Sequence, residues 1–212
     1  MKKVIKITII LFSLLLLIGL GLFCFIWFKS PGTPSPIVDP QGKVLPNSIS
    51  LIEKIPVGGM DQYLVIRGED ADKPVLLMLH GGPGTPEFPL MRDPNLVLEK
   101  EFVVVHWEQR GAGKSFSPDI PVESMTTNQL IADAAEVSNY LRKRFKQEKI
   151  YLMGHSWGSF LGILTAQRYP KLFHAYVGIG QVASQYQAEK LSLAWVKPVS
   201  YTHLTLPTTP YV

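Results

Sequence analysis

Ile150-Tyr151-Leu152-Met153-Gly154-His155-Ser156-Trp157-Gly158 places a Gly-x-Ser-x-Gly directly after a short apolar run and at the head of a longer apolar-periodic stretch. Between a buried strand and a helix, that pattern reads as a nucleophile elbow, a sharp turn that lifts a serine hydroxyl above the sheet. Gly154 and Gly158 are needed there because the turn is strained and the departing helix packs close, so a Cβ at either would clash. The five residues alone also fit an ordinary Gly/Ser turn. The strand-then-helix context selects the elbow.

A second glycine-rich turn stands upstream. His80-Gly81-Gly82-Pro83-Gly84 follows the strand-like run Val75-Leu76-Leu77-Met78-Leu79. Such a turn at a strand's carboxyl end lets backbone N–H groups face a ligand, as an oxyanion hole requires. A tight Gly-Pro loop without a ligand is the competing reading, and pairing with the downstream elbow argues against it. The expected donors are the N–H of Trp157 and one from Gly82 or its neighbour Gly81.

From Ser48 onward strand and helix patterns alternate, the sign of an α/β domain around a mostly parallel sheet. Ser50 to Ile55 and Gln62 to Ile66 read as antiparallel lead-in strands joined around Gly58-Gly59. Val75 to Leu79 and Phe102 to Val105 are continuous apolar runs, expected for strands covered on both faces. Met125 to Phe145 is the clearest helix, with Leu130, Ala134, Val137 and Leu141 on one stripe and a Thr126/Gln129 capping box at its start. Trp157 to Tyr169 is the helix leaving the elbow, ended by Pro170. Ala175 to Ile179 then reads as a buried strand and Ala183 to Val196 as a helix.

The amino terminus follows different rules. Ile7 to Phe28 carries no charge, is rich in Leu, Ile and Phe, and lies between Lys2, Lys3, Lys6 and Lys29. At 1.5 Å per residue it reaches about 33 Å, enough to cross a hydrocarbon core of ~30 Å. A cleaved signal peptide would have a shorter apolar region ending in small residues, whereas Phe25-Ile26-Trp27-Phe28 is bulky, and Phe23 disfavours a lipoprotein signal at Cys24. Residues 1–29 are therefore expected to be an uncleaved signal anchor in a lipid bilayer. The lysine bias keeps the amino terminus cytoplasmic and the remainder outside. Residues 30–47, opening Ser30-Pro31-Gly32-Thr33-Pro34-Ser35-Pro36, are expected to form a semi-extended stalk.

A hydrophobic fraction of 46% in 212 residues supports one domain with a sizeable core beside the anchor. The net charge of +4 does not indicate a nucleic-acid partner. Four lysines flank the span, and Arg142, Lys143, Arg144, Lys146 and Lys149 fall at a helix end, where cations complement the dipole. Cys24 is the sole cysteine, which excludes an intrachain disulfide or a cysteine-based metal site. The glycines of 80–84 lack the spacing of a dinucleotide fingerprint, and no metal or cofactor is expected.

Three motifs in order, His80-Gly81-Gly82-Pro83-Gly84, Trp107-Glu108-Gln109-Arg110-Gly111-Ala112-Gly113-Lys114-Ser115 and Gly154-His155-Ser156-Trp157-Gly158-Ser159, resemble those of α/β-hydrolases of the prolyl iminopeptidase type. The resemblance covers Ser48 to Val196. It departs from the family at Glu108, where aspartate is usual, and at His155, where glycine is common in proline-specific members; both departures bear on proline specificity. The resemblance implies that His80 shapes the oxyanion loop rather than acting as base. Glu108 and Arg110 are read as holding the loop after their strand by hydrogen bonds and an ion pair, with Gly111 and Gly113 giving its turn.

Ser156 is the candidate nucleophile, and it needs a histidine base oriented by an acid, in the chain order Ser, Asp or Glu, His. After Ser156 there is no Asp, only Glu189, His174 and His203. None suits the role, and His155 cannot reach round to its neighbour's hydroxyl. The triad is thus not completed by this chain, and residues 48–198 are expected to be a partial hydrolase domain lacking its cap and later triad members. Val199 to Thr208 resembles a translated frame of a transposase-type sequencing adapter, so 199–212 are expected to be a non-native tail.

The leading expectation is a membrane-anchored serine peptidase cleaving short peptides through an acyl-enzyme at Ser156, inactive as this exact polypeptide. A carboxylesterase or lipid acyl hydrolase would use the same nucleophile and oxyanion hole on an ester substrate. A non-catalytic fragment or binding module is the alternative of another class.

Overall fold

Gly58 and Gly59 have φ of +55° and +80°, and two successive residues at positive φ close a tight hairpin whose twist matches its strands. Its arms are β1 (Ile49–Val57) and β2 (Met60–Gly68), paired antiparallel from Ile49↔Gly68 to Val57↔Met60. The computed structural model describes residues 2–29 and 32–203. In β3 (Val75–Leu79) every side chain is buried, which an uninterrupted apolar run permits only where both sheet faces are covered. β4 (Val103–Glu108) lies parallel to β3 and antiparallel to β2. Beyond β3 come β5 (Ile150–His155) and β6 (Phe173–Ile179), both parallel, for a sheet order β1-β2-β4-β3-β5-β6.

Around the sheet are α1 (Lys2–Lys29), α2 (Phe88–Leu98), α3 (Thr127–Arg144), α4 (Trp157–Arg168) and α5 (Gln185–His203). The main core joins Leu64, Ile66, Leu77, Leu79, Val105, Trp107 and Leu152 of the strands to the stripe Leu130, Ala134, Val137 and Leu141 of α3 and to Leu161 of α4. Each fully buried Leu or Val contributes about 1.5–3 kcal/mol relative to exposure, so this cluster fixes the relative positions of the strand ends. Those ends matter most: Leu79, Glu108, His155 and Ile179 terminate four parallel strands at one edge of the sheet.

Several local expectations are corrected. Thr126 caps α3 by accepting from the Gln129 N–H at 3.2 Å, but the capping box is only half formed. The Gln129 side chain turns instead to Asp133 at 2.7 Å, because a buried carboxylate competes better for its amide. β6 is a strand but not a buried one: Val177 and Ile179 are exposed, since β6 is the last strand among the described residues. The short helix α2, broken in pattern by Pro89 and Pro94, carries no clear periodic signal in the sequence.

The linker also differs from a free stalk. Ser35 carbonyl accepts from Ser50 Oγ at 2.7 Å and from the Arg67 guanidinium, and Ile37 is buried. A tight turn at Asp39 to Lys43, with Asp39 Oδ1 accepting from the Gln41 and Lys43 N–H groups, folds the chain back so that Leu45 N–H bonds Ile37 carbonyl. From Ser35 onward the segment is therefore docked on the domain, because Ile37 has an apolar site to fill. α1 is apolar along Ile5–Phe28 and long enough to span a membrane, with none of that stretch buried against the domain. Of the expected tail, residues 204–212 lie outside the described residues, and 199–203 continue α5.

Candidate active site

Ser156 sits between β5 and α4 with φ 51° and ψ −118°, a backbone conformation that L-residues rarely adopt. The surroundings enforce it. A Cβ on Gly154 would lie 2.2 Å from the Gly158 carbonyl oxygen, and one on Gly158 would lie 2.0 Å from the Leu79 carbonyl oxygen. Strand, turn and helix are thus in backbone contact, and only glycine fits at both flanking positions. The Ser156 N–H donates to Ile179 carbonyl at 2.9 Å, and Ser159 Oγ donates to Ser156 carbonyl at 2.6 Å. The Ser156 side chain is half-buried and opens on a cavity of about 380 Å³, walled also by Gly82, Pro83, Trp157, Phe160 and Val182.

The loop 80–84 lies against this turn. A Cβ on Gly81 would be 3.2 Å from Ser156 Cβ, so the two motifs, far apart in sequence, are neighbours in space. His80 is buried and holds the loop from beneath. The Gln109 backbone N–H donates to His80 Nε2 at 3.1 Å, which leaves the ring proton on Nδ1 to donate to Gly81 carbonyl at 2.9 Å. Gln109 also donates from its side chain to His80 carbonyl at 3.0 Å. Burial lowers the His80 pKa, keeping the neutral tautomer that these bonds need. The Gly82–Pro83 peptide is cis.

Of the two glycines expected to donate, Gly81 has its N–H committed to Glu87 Oε1 at 2.8 Å. Gly82 lines the cavity, and among the described residues nothing takes its N–H. The Trp157 N–H is the first of α4, one of the amides a helix leaves without an internal partner. Two residues with backbone N–H groups free of an internal partner among the described residues, Gly82 and Trp157, thus line the same cavity as Ser156. The Trp157 indole N–H is buried and lacks a partner among the described residues, while its ring stands 5.3 Å from that of Phe160.

Glu87 is the site residue that motif reading missed. The same Oε1 that accepts from Gly81 is 2.6 Å from His155 Nδ1, so one carboxylate joins the glycine loop to the residue before Ser156. His155 is thereby turned toward Glu87. No regular spacing links the three residues, which leaves only the two chemically unusual positions, an acid after a glycine turn and a histidine inside the elbow, as sequence signals.

The loop after β4 is braced by a closed network. Arg110 Nε and Nη2 bond the two Asp133 carboxylate oxygens at 2.8 and 3.1 Å, and Nη2 also reaches Gly58 carbonyl at 2.7 Å. Gln62 donates to Asp133 at 2.9 Å and accepts from the Trp107 indole at 2.8 Å. The ion pair of Arg110 is thus with Asp133 on α3, while Glu108 accepts the Lys114 N–H within its own loop. Both act on the loop's shape; neither lines the cavity beside Ser156.

Other ionisable residues do not converge on Ser156. His174, at the start of β6, packs its ring 5.1 Å from Tyr151 at the opposite edge of the sheet. Glu189 accepts from Gln185 at 2.7 Å on exposed α5, and His106 is buried near the Phe88 ring.

An elbow after the third parallel strand, a glycine loop at the adjacent strand end and helices on the sheet define a hydrolase of the α/β class. Residues 74–204 match the alpha/beta hydrolase fold family, and the chain belongs to it. It is similar to the probable aminopeptidase YbaC of Bacillus subtilis, 42% identical over 153 residues that cover 72% of this chain and 48% of that protein. A proline iminopeptidase of Lactobacillus helveticus is 32% identical over 111 residues, covering 52% and 36%. In structure the chain resembles a proline iminopeptidase-related protein of Thermus thermophilus at 22% identity and a TM-score of 0.51, covering 68% of this chain and 55% of that one. It also resembles an epoxide hydrolase of Vigna radiata at 24% identity and a TM-score of 0.52, covering 62% and 38%. These last two likenesses concern the fold alone. The chain spans half or less of the length of these curated relatives.

Proposed function

We propose that the protein is a serine aminopeptidase of the iminopeptidase-like group, acting on short peptides with a free amino terminus. Ser156 Oγ attacks the carbonyl carbon, its proton passes to a histidine base, and the amine leaves with that proton. Water then hydrolyses the acyl-enzyme by the reverse proton path. The Trp157 and Gly82 N–H groups stabilise the oxyanion of each tetrahedral intermediate, an effect worth about 3–4 kcal/mol per donor. Glu87 sets the angle of the glycine loop. The acid and the histidine base are assigned to the remainder of a full-length hydrolase domain.

The observation that carries this reading is Ser156 held at positive φ on a cavity wall shared with two available backbone donors. The names of the relatives support the peptide class. A carboxylesterase is the second reading, favoured by the apolar wall of Pro83, Trp157, Phe160 and Val182. Alanyl and prolyl naphthylamides compared with short-chain nitrophenyl esters separate the two, using a protein that carries the rest of the domain. Ser156→Ala is expected to lower turnover about 10⁴- to 10⁶-fold without altering the fold. Equal turnover by the two proteins refutes both versions.

For localisation, α1 is proposed to cross the bilayer with the amino terminus cytoplasmic and the hydrolase domain outside.

A further inference from the structure

The parallel strands give the domain two ends of unlike character. At the carboxyl end stand Ser156, the glycine loop, and the acidic side chains of Glu87, Glu108, Asp119 and Glu123, with Lys114 the cation among them. At the amino end the linker docks: Ser35 is bonded to Arg67 and Ser50, and Asn47 carbonyl accepts the Ala71 N–H. Register locates this contact, since Arg67 faces Ser50 and Val104, near where β4 begins. Six residue steps lead from Lys29 to Ser35, and at about 3.3–3.6 Å per step they reach at most ~22 Å.

The basic residues gather at this same end. α3 runs antiparallel to β5 and brings Lys143 to it; Lys146 and Lys149 follow before β5, Lys100 precedes β4, and Lys171 precedes β6. Gln147 confirms the placement by accepting the Val75 N–H at 3.0 Å, where β3 begins. Lys73 pairs with Glu101 and Arg144 with Glu53, but among the described residues these five lysines make no ion pair. Glu69, Asp70, Asp72 and Glu148 lie at this end too, so the surface is mixed but retains unpaired lysines on its rim.

We propose that the amino end of the sheet is a bilayer-facing surface that rests on anionic lipid headgroups, so that the cavity at Ser156 opens away from the membrane. The proposal rests on α1 spanning the bilayer. Turning the cavity to the lipid would carry Ser35 away by the depth of the sheet, about 13 Å for four residues of strand plus the loops above it, which takes up most of the ~22 Å linker, so charge rather than tether length selects the orientation. It would also set the acidic end against anionic headgroups and remove the lysines beyond a Debye length of ~8–10 Å. The consequence for substrate class is direct: peptides or esters dissolved in the aqueous phase reach Ser156, and acyl chains embedded in the same bilayer do not.

The test uses the full chain with Cys24→Ser, reconstituted in phosphatidylcholine vesicles containing phosphatidylglycerol. A fluorophore is attached at Lys171→Cys or at Gln185→Cys, and lipids bearing a nitroxide on the headgroup quench it. Quenching at position 171 is expected to exceed that at 185 by at least about twofold, and to diminish when Lys143, Lys146 and Lys149 are changed to Glu. Lys100→Cys repeats the measurement where Lys171→Cys fails to fold. Equal or reversed quenching in protein that floats with the vesicles overturns the orientation alone. Protein that does not float with them overturns the membrane span, and the orientation with it. Neither readout depends on activity, so the catalytic reading is judged separately.

Discussion

Two polar networks brace loops at the same end of the sheet, and they are built on opposite plans. Around Asp133, Arg110, Gln62 and Gln129 satisfy both carboxylate oxygens, and the ion pair is almost wholly sealed, its side chains only 2% and 0% exposed. Around Glu87, one oxygen accepts both Gly81 and His155, and the histidine side chain is 44% exposed. Four donors saturate the Asp133 carboxylate, so that closed network holds shape. The open one borders the Ser156 cavity and keeps contact with solvent. Saturated buried polar groups stabilise, whereas incompletely enclosed ones beside a cavity adjust how that cavity is shaped.

The sharpest way to break the comparison is Asp133→Ala. Leaving Arg110 buried without its partner is expected to cost about 3–5 kcal/mol, read as a lowered urea midpoint, while turnover per folded molecule persists. A drop in turnover at full stability would move Asp133 to the other side of the comparison.

Acid probes the buried histidines beneath the glycine loop next. Burial, with His80 close by, pushes His106 down from 6.5 to about 4, so the neutral ring is the form the fold holds. Its contribution is complete above pH 6.5 and is lost as pH falls toward 4, because the unfolded chain takes up the proton first. The loss is about 3 kcal/mol over that window, and His80 acts in the same direction. Denaturant titrations at several pH values measure it, and His106→Gln should flatten the slope.

Glu87→Ala tests the open side. Turnover of the complete enzyme is expected to fall about tenfold with KM little changed, because the loop amide, not the substrate contact, is misplaced. Glu87→Gln keeps an acceptor for Gly81 and His155 and should recover most of the rate. A rise in KM alone would point to substrate binding instead. The smallest effect is Ser156→Gly, which removes the penalty of a side chain at φ 51° and is expected to stabilise by about 1 kcal/mol, seen as a raised Tm, while abolishing turnover.

What could be read from residues alone follows the same division. The elbow, the glycine loop and the stripe on α3 were legible because glycine spacing and apolar period are local signals that the backbone obeys directly. The Arg110 pair was expected, but its partner was not, since Asp133 lies on another element and a buried carboxylate in a helical pattern resembles a solvated one. Glu87 was invisible for the same reason. Ala175 to Ile179 read as buried because apolar runs announce strands, not how far the described residues cover them. Ile37 escaped notice because prolines around it dominated the pattern.

The bond from the Ser156 amide to Ile179 carbonyl has one more consequence. Ile179 ends β6, the outermost strand among the described residues. The Ser156 turn is thus tied to β6 through its amide and to β3 through the close approach of Gly158 to the Leu79 carbonyl. A shift of β6 along that bond would carry the Ser156 amide with it, so the spacing of these two strands and the tilt of the turn between β5 and α4 are coupled.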